Sequence, residues 1–140
     1  DAGGTVRLPE HTIRYTATQE DALRRLWREF ERAPHTPPTY SQAAALVGED
    51  VLTSLLERGE LVRISDEVIF PPAVLRAWID VARATLDRGE PLTVATLRDH
   101  FATTRRYTLD FLERLDALGI TRRSGDERVR GSAAWERLLG

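Results

Sequence analysis

The side chains best suited to chemistry in this chain are arginines: Arg105 and Arg106, followed closely by Arg122, Arg123, Arg128 and Arg130. A guanidinium stays charged at any physiological pH and presents a rigid fork of donors. It grips phosphates and stacks on bases better than an ammonium does, and it does not shuttle protons. All basic side chains here are Arg and none is Lys, for which genome composition is a sufficient explanation. The other reactive types are poorly placed. His11, His35 and His100 have no partner at metal-ligand or catalytic-triad spacing, and surface or capping roles are expected for them. Asp66-Glu67 and Asp126-Glu127 are neighbours in predicted turns, where their side chains point apart into water. No glycine-rich phosphate loop or nucleotide fingerprint is present. Binding without catalysis, without a cofactor and without a metal is the expectation.

The bulk numbers narrow the field. There is no cysteine, which excludes disulfides, thiolate nucleophiles and zinc–cysteine sites. No apolar run approaches the roughly 18 residues of a membrane span, and no signal-peptide pattern opens the chain. A cytoplasmic monomer that makes no membrane contact is therefore expected. Methionine is absent, so the chain reads as a fragment of something longer. The formal net charge of -2 hides an asymmetry. Residues 1–90 carry 11 Arg against 15 acids, a net of -4, while residues 91–140 carry 9 Arg against 7 acids, a net of +2. Basic charge gathered in one half is a statement about partners.

The elements that must hold these arginines repeat. Leu52, Leu55, Gly59, Arg63, Asp66 and Glu67 recur 60 positions on as Leu112, Leu115, Gly119, Arg123, Asp126 and Glu127. Each set reads as helix, glycine stop, strand, tight turn, strand. Upstream of the first set, Thr18 with Asp21 opens a helix whose stripe is Leu23, Leu26, Trp27 and Phe30. A proline-rich break over 33–38 follows. Thr39 with Gln42 then opens a short helix to Gly48, and a third helix runs to Arg58. Pro71-Pro72 marks the boundary, and a longer helix with Leu75, Trp78, Ile79, Ala82 and Leu86 on one face ends at Gly89. Thr93 begins a short helix through Phe101, and Thr104 caps the last long one. Three helices and a hairpin, twice over, predict a mostly α protein with small β-hairpins: two tandem winged helix-turn-helix domains. The expected division is 1–17 as the end of a preceding unit, with a strand near Thr5–Leu8, then 18–71 and 72–131 as the two domains, and 132–140 as a tail.

Three observations set the second copy's arginines apart from an ordinary solvated face. Arg105 and Arg106 occupy a helix's first turn, where the macrodipole disfavours cations and the free N–H groups favour an anion. The hairpin arginines repel one another unless something neutralises them. The first copy has a single hairpin arginine, Arg63. With Phe111 and Leu115 turned to the core, the opposite helix face carries Arg106, Asp110, Glu113 and Ala117, so only its tip is basic. Laid lengthwise in a DNA groove, that face would press carboxylates against phosphates. An end-on grip by Thr104–Tyr107 and the wing suits a structured RNA, whose loops and bulges are what proteins read. Tyr107 has two candidate uses, stacking on an extruded base or filling the core.

The residues Thr104-Arg105-Arg106-Tyr107, Leu112-Glu113-Arg114-Leu115-Asp116, Gly119-Ile120-Thr121-Arg122-Arg123 and Gly125-Asp126-Glu127-Arg128 resemble the C-terminal winged-helix domain of bacterial SelB, the selenocysteine-specific translation elongation factor. The first copy, with Leu56-Glu57-Arg58-Gly59-Glu60-Leu61-Val62, is similar to the preceding winged helix of the same tail, and Arg7-Leu8-Pro9 with His11 to the junction before it. Thr104 and Arg106 stand where the family usually has Ser and Lys. The resemblance implies an RNA-binding fragment whose last winged helix holds the SECIS mRNA hairpin beside a UGA codon. GTP and selenocysteinyl-tRNA would be carried on domains elsewhere in the full-length factor, and the ribosome is a further implied partner. It implies that Thr104, Arg105, Arg106 and Tyr107 meet the hairpin backbone and a displaced base, and that Arg122, Arg123, Arg128 and Arg130 clamp phosphates. The first domain would be a rigid spacer. The rival is a tandem winged-helix module that binds duplex DNA or organises chromosomes, usually as a symmetric dimer.

Overall fold

The computed structural model describes residues 14–140, so the strand expected near Thr5–Leu8, the junction residues Arg7–Pro9 and His11 lie outside the described residues. Helix α1 (Ala17–Arg32) is capped by Thr16, two residues before the expected cap at Thr18. Thr16 accepts from the Gln19 N–H at 3.1 Å, and the Gln19 side chain accepts from the Thr16 N–H at 2.8 Å. The reciprocal box needs a carbonyl at the third helical position, which Gln19 supplies. Asp21 instead pairs along the helix with Arg24. Helix α2 (Tyr40–Val47) has the capping box expected of Thr39 and Gln42. Gly48, at φ 87°, turns the chain directly into α3 (Glu49–Glu57), which Gly59 closes at φ 73°. Strands β1 (Val62–Arg63) and β2 (Ile69–Phe70) pair antiparallel over two residues each.

The second copy follows the same order. Helix α4 (Pro72–Asp87) has Pro72 at its start, where a missing N–H costs nothing. Helix α5 (Val94–Phe101) is capped by Thr93, and a left-handed Ala102 at φ 51° swings the chain into α6 (Arg105–Ala117). Strands β3 (Thr121–Ser124) and β4 (Glu127–Arg130) form a full four-pair hairpin, to which Leu92 adds a one-residue bridge opposite Arg128. The last residues are no loose tail. Trp135–Leu139 form a short 3₁₀ helix that buries Trp135 and Leu138 beside Trp78 and Ile79. Gly131 and Ala133 N–H groups tie the approach to it by donating to the Ile120 and Gly119 carbonyls.

Apolar side chains segregate into two clusters, one around Leu26, Phe30, Leu52 and Leu55 and one around Trp78, Phe111, Leu112 and Leu115. The first hairpin belongs to both. Successive strand residues face opposite ways, so Ile69 enters the first cluster while Val68 and Phe70 enter the second. In the second copy the positions of Val68 and Phe70 are held by Arg128 and Arg130. One hairpin is a wall between two cores, and the other borders only the second core as a wing.

Candidate nucleic-acid interface

The residues expected to meet a ligand come from the start of α6, the turn before it and the β3–β4 wing. Thr104 takes the N-cap conformation but its hydroxyl accepts no hydrogen bond from the helix, so the first-turn N–H groups face outward uncapped. Arg105 and Arg106 are exposed. Arg105 lines a groove with Thr93, Val94, Leu109, Arg123 and Asp126. The groove thus brings two exposed guanidiniums together with the apolar side chains of Val94 and Leu109, a combination able to take an unstacked nucleotide with its phosphate. Arg123 is oriented by its Nε donating to the Gly125 carbonyl at 2.9 Å. Arg122 and Arg130 lie on another side of the wing with Gly119, Thr121 and Ser132. Among the described residues, no carboxylate comes within ion-pair distance of Arg105, Arg106, Arg122 or Arg123.

Three of the residues expected to touch the ligand are otherwise engaged. Arg128 is 2 % exposed. Its Nε and Nη2 lie 3.2 and 3.1 Å from one Asp116 oxygen, the first as a hydrogen bond and the second without hydrogen-bond alignment. The other Asp116 oxygen accepts from the Thr121 hydroxyl at 2.6 Å. Arg128 therefore ties the wing to α6 and is not a phosphate clamp. The β-strand pleat explains this: a residue opposite Arg123 and bridged to Leu92 is held against the helix, where an unpaired charge would be intolerable. Tyr107 is buried, and its hydroxyl donates to the Pro37 carbonyl at 2.6 Å, so it cannot stack on a base. Burial pushes its pKa up, opposed by the Arg106 charge. Arg130 is exposed but pairs with Asp87 at the end of α4.

The acidic flank of α6 is also altered. Asp110 does not face outward; it accepts from the Ser65 hydroxyl of the first hairpin at 2.7 Å. One side of α6 is thereby covered by the first copy, and a lengthwise seat in a groove is closed to it. Arg106, exposed at the tip, is close enough to Glu67 for its charge to help lower that carboxyl's pKa. The larger causes there are the Ser41 hydroxyl and backbone N–H. The segment 35–37 carries little sequence signal for the role it plays. His35 is half-buried and accepts on Nδ1 from Trp78 Nε1 at 2.9 Å, rather than serving as a surface or capping residue. A histidine set among prolines was the one hint, and prolines mark turns far more often than contacts.

This arrangement has counterparts among known proteins. Residues 84–130 match a family model described as the winged helix of elongation factor SelB. The chain is 26 % identical over 129 residues to the selenocysteine-specific elongation factor of Desulfomicrobium baculatum, covering 88 % of the chain and 20 % of the relative. It is 24 % identical over 132 residues to that of Haemophilus influenzae, covering 90 % and 21 %. The chain thus spans about a fifth of the length of these relatives. The same fold is seen in the mRNA-binding domain of E. coli SelB solved in complex with SECIS RNA: TM-score 0.59, 17 % identity, 84 % of this chain and all of that one. It is seen again in a bacterial selenocysteine-specific elongation factor, EF-Sec, with TM-score 0.59, 22 % identity, and 84 % and 19 % coverage.

Proposed function

We propose that this chain, which carries a winged-helix domain of the SelB family over residues 84–130, is the mRNA-holding portion of a selenocysteine-specific elongation factor. Its second winged helix binds a SECIS-type RNA hairpin and so keeps the factor beside the codon to be recoded. The observation that carries this reading is the pairing of Arg105 with Arg123 across one groove, beside a helix start whose N–H groups are uncapped. Together they offer an anion site; Asp126 lines the same groove but is not within ion-pair distance of either guanidinium. Thr104, Arg105, Arg106, Arg122 and Arg123 make the contacts, and Arg130 joins them by exchanging Asp87 for a phosphate. Binding is the whole task of this portion, which has no catalytic role; GTP and selenocysteinyl-tRNA belong to the remainder of a full-length factor. Action in the cytoplasm, at the ribosome, follows from that role.

Filter binding at two salt concentrations tests the reading with three labelled ligands: a SECIS-type hairpin, an unrelated RNA hairpin and duplex DNA. The SECIS-type hairpin is expected to bind most tightly, with a salt slope reporting the phosphates neutralised. Equal affinity for all three would overturn it, and preference for the duplex would favour a DNA-binding module.

A further inference from the structure

The loop joining the first two helices reaches across to the second copy and closes on it like a clasp. His35 stands against Phe101 at a ring separation of 4.5 Å and accepts the indole proton of Trp78 at Nδ1. Its backbone carbonyl accepts from the Thr103 hydroxyl. Two residues on, the carbonyl of buried Pro37 accepts from Tyr107. Thr103 and Tyr107 bracket Thr104, Arg105 and Arg106 in sequence. Both anchors of the helix tip are therefore held by the other copy. Trp78 has no exposure and stacks on Phe101 at 4.7 Å, so its N–H has no water to turn to.

We propose that His35 and Pro37 form an interdomain clasp that positions the RNA-binding tip of α6. His35 is its titratable part. Because Trp78 can only donate, the clasp needs a lone pair on Nδ1, with any proton of the neutral ring on Nε2. Protonation of Nδ1 sets two donors against each other and opens it. The elements around His35 present few other groups: Trp78 from α4, Phe101 and His100 from α5 and Thr103 from the turn, with Tyr107 of α6 bonded two residues on at Pro37. Burial first, and then the His100 charge, hold the imidazole pKa below its ordinary 6.5. A lowered pKa means that the neutral, clasped form is fully present above that value and is lost as pH falls through the folded-state pKa. The consequence for RNA rests on the function proposed above, whereas the clasp itself does not.

The test therefore has two arms, on the wild-type chain, His35→Gln and His35→Ala. The first uses no RNA. It follows the Trp78 indole N–H resonance and residual dipolar couplings of the Arg105–Tyr107 amides by NMR at about pH 8 and about pH 5. Wild type should hold one orientation of the helix tip at the higher pH and lose it at the lower. His35→Gln, whose amide oxygen replaces the acceptor without titrating, should hold at both, and His35→Ala at neither. The second arm measures SECIS-type hairpin binding. The unclasped forms should bind about 5-fold or more weakly, with the salt slope unchanged because the phosphate contacts are intact. A wild-type indole signal and couplings indifferent to pH, or His35→Gln titrating like wild type, would overturn the clasp. If no form binds the hairpin, the proposed function falls, and the first arm alone still decides the clasp.

Discussion

Arg105, Arg123 and Arg128 share a residue type and line one groove, yet their surroundings divide them into two kinds. Arg105 and Arg123 are exposed and have no carboxylate partner among the described residues, so their charge is available to a ligand. Arg128 is buried, and its charge is answered by Asp116 within the fold. Substitutions should separate these uses. Arg105→Ala or Arg123→Ala should leave thermal stability within roughly 0.5 kcal/mol while lowering the salt slope of RNA binding by about one for each phosphate no longer neutralised. Arg128→Ala should cost about 3 kcal/mol, the low end for breaking a buried pair, because Asp116 keeps some access to water. Urea titration beside filter binding at several salt concentrations would show the contrast. An Arg128→Ala protein of normal stability but reduced salt slope would return Arg128 to the binding surface.

At the level of elements, the helices, their glycine stops and both hairpins were legible in the sequence because each carries a local signal. Thr39 with Gln42 and Gly59 at its positive φ are examples. Contacts between elements had no such signal. Glu67 reads as a turn acid, but it reaches α2, accepting from the Ser41 N–H at 3.0 Å and the Ser41 hydroxyl at 2.6 Å. Both bonds favour the ionised carboxylate, which is why its pKa lies below the ordinary 4.5. The stabilisation is therefore present above that pH and lost as acid protonates the folded form. Glu67→Gln should lower the urea midpoint near neutrality, and the gap from wild type should close as pH falls through the folded-state pKa. A gap that persists in acid would deny the link. Gly131 had no local signature either. A Cβ there would lie 2.2 Å from the Gly119 carbonyl oxygen, so the requirement comes from backbone approaching backbone. Gly131→Ala should push the 3₁₀ segment off the second cluster at a cost of about 1–3 kcal/mol, read as faster amide exchange at Trp135 and Leu138. Unchanged exchange there would contradict it.

Across the whole molecule, the shared hairpin sets how the two copies behave together. A free wing would let each cluster melt at its own temperature, since each copy alone is near the lower size that folds unaided. Here Ile69 and Phe70 are adjacent in one strand and fully buried in different cores, and Ser65 holds Asp110 across the junction. Losing either cluster strips apolar cover from the other. The arginine-bearing tip inherits that rigidity, because α6 is braced by the first copy on the side that carries Tyr107 and Asp110. Phe70→Ala removes a ring packed 5.0 Å from Trp78 and 6.3 Å from Tyr107, a loss of roughly 3–5 kcal/mol for a buried phenylalanine. Scanning calorimetry of the wild-type chain should give a single transition with equal calorimetric and van't Hoff enthalpies. Phe70→Ala should shift that transition down as one peak and weaken hairpin binding without touching a contact residue. Two resolved transitions in the wild-type protein would mean that the hairpin does not couple the cores, and that α6 is braced by its own domain alone.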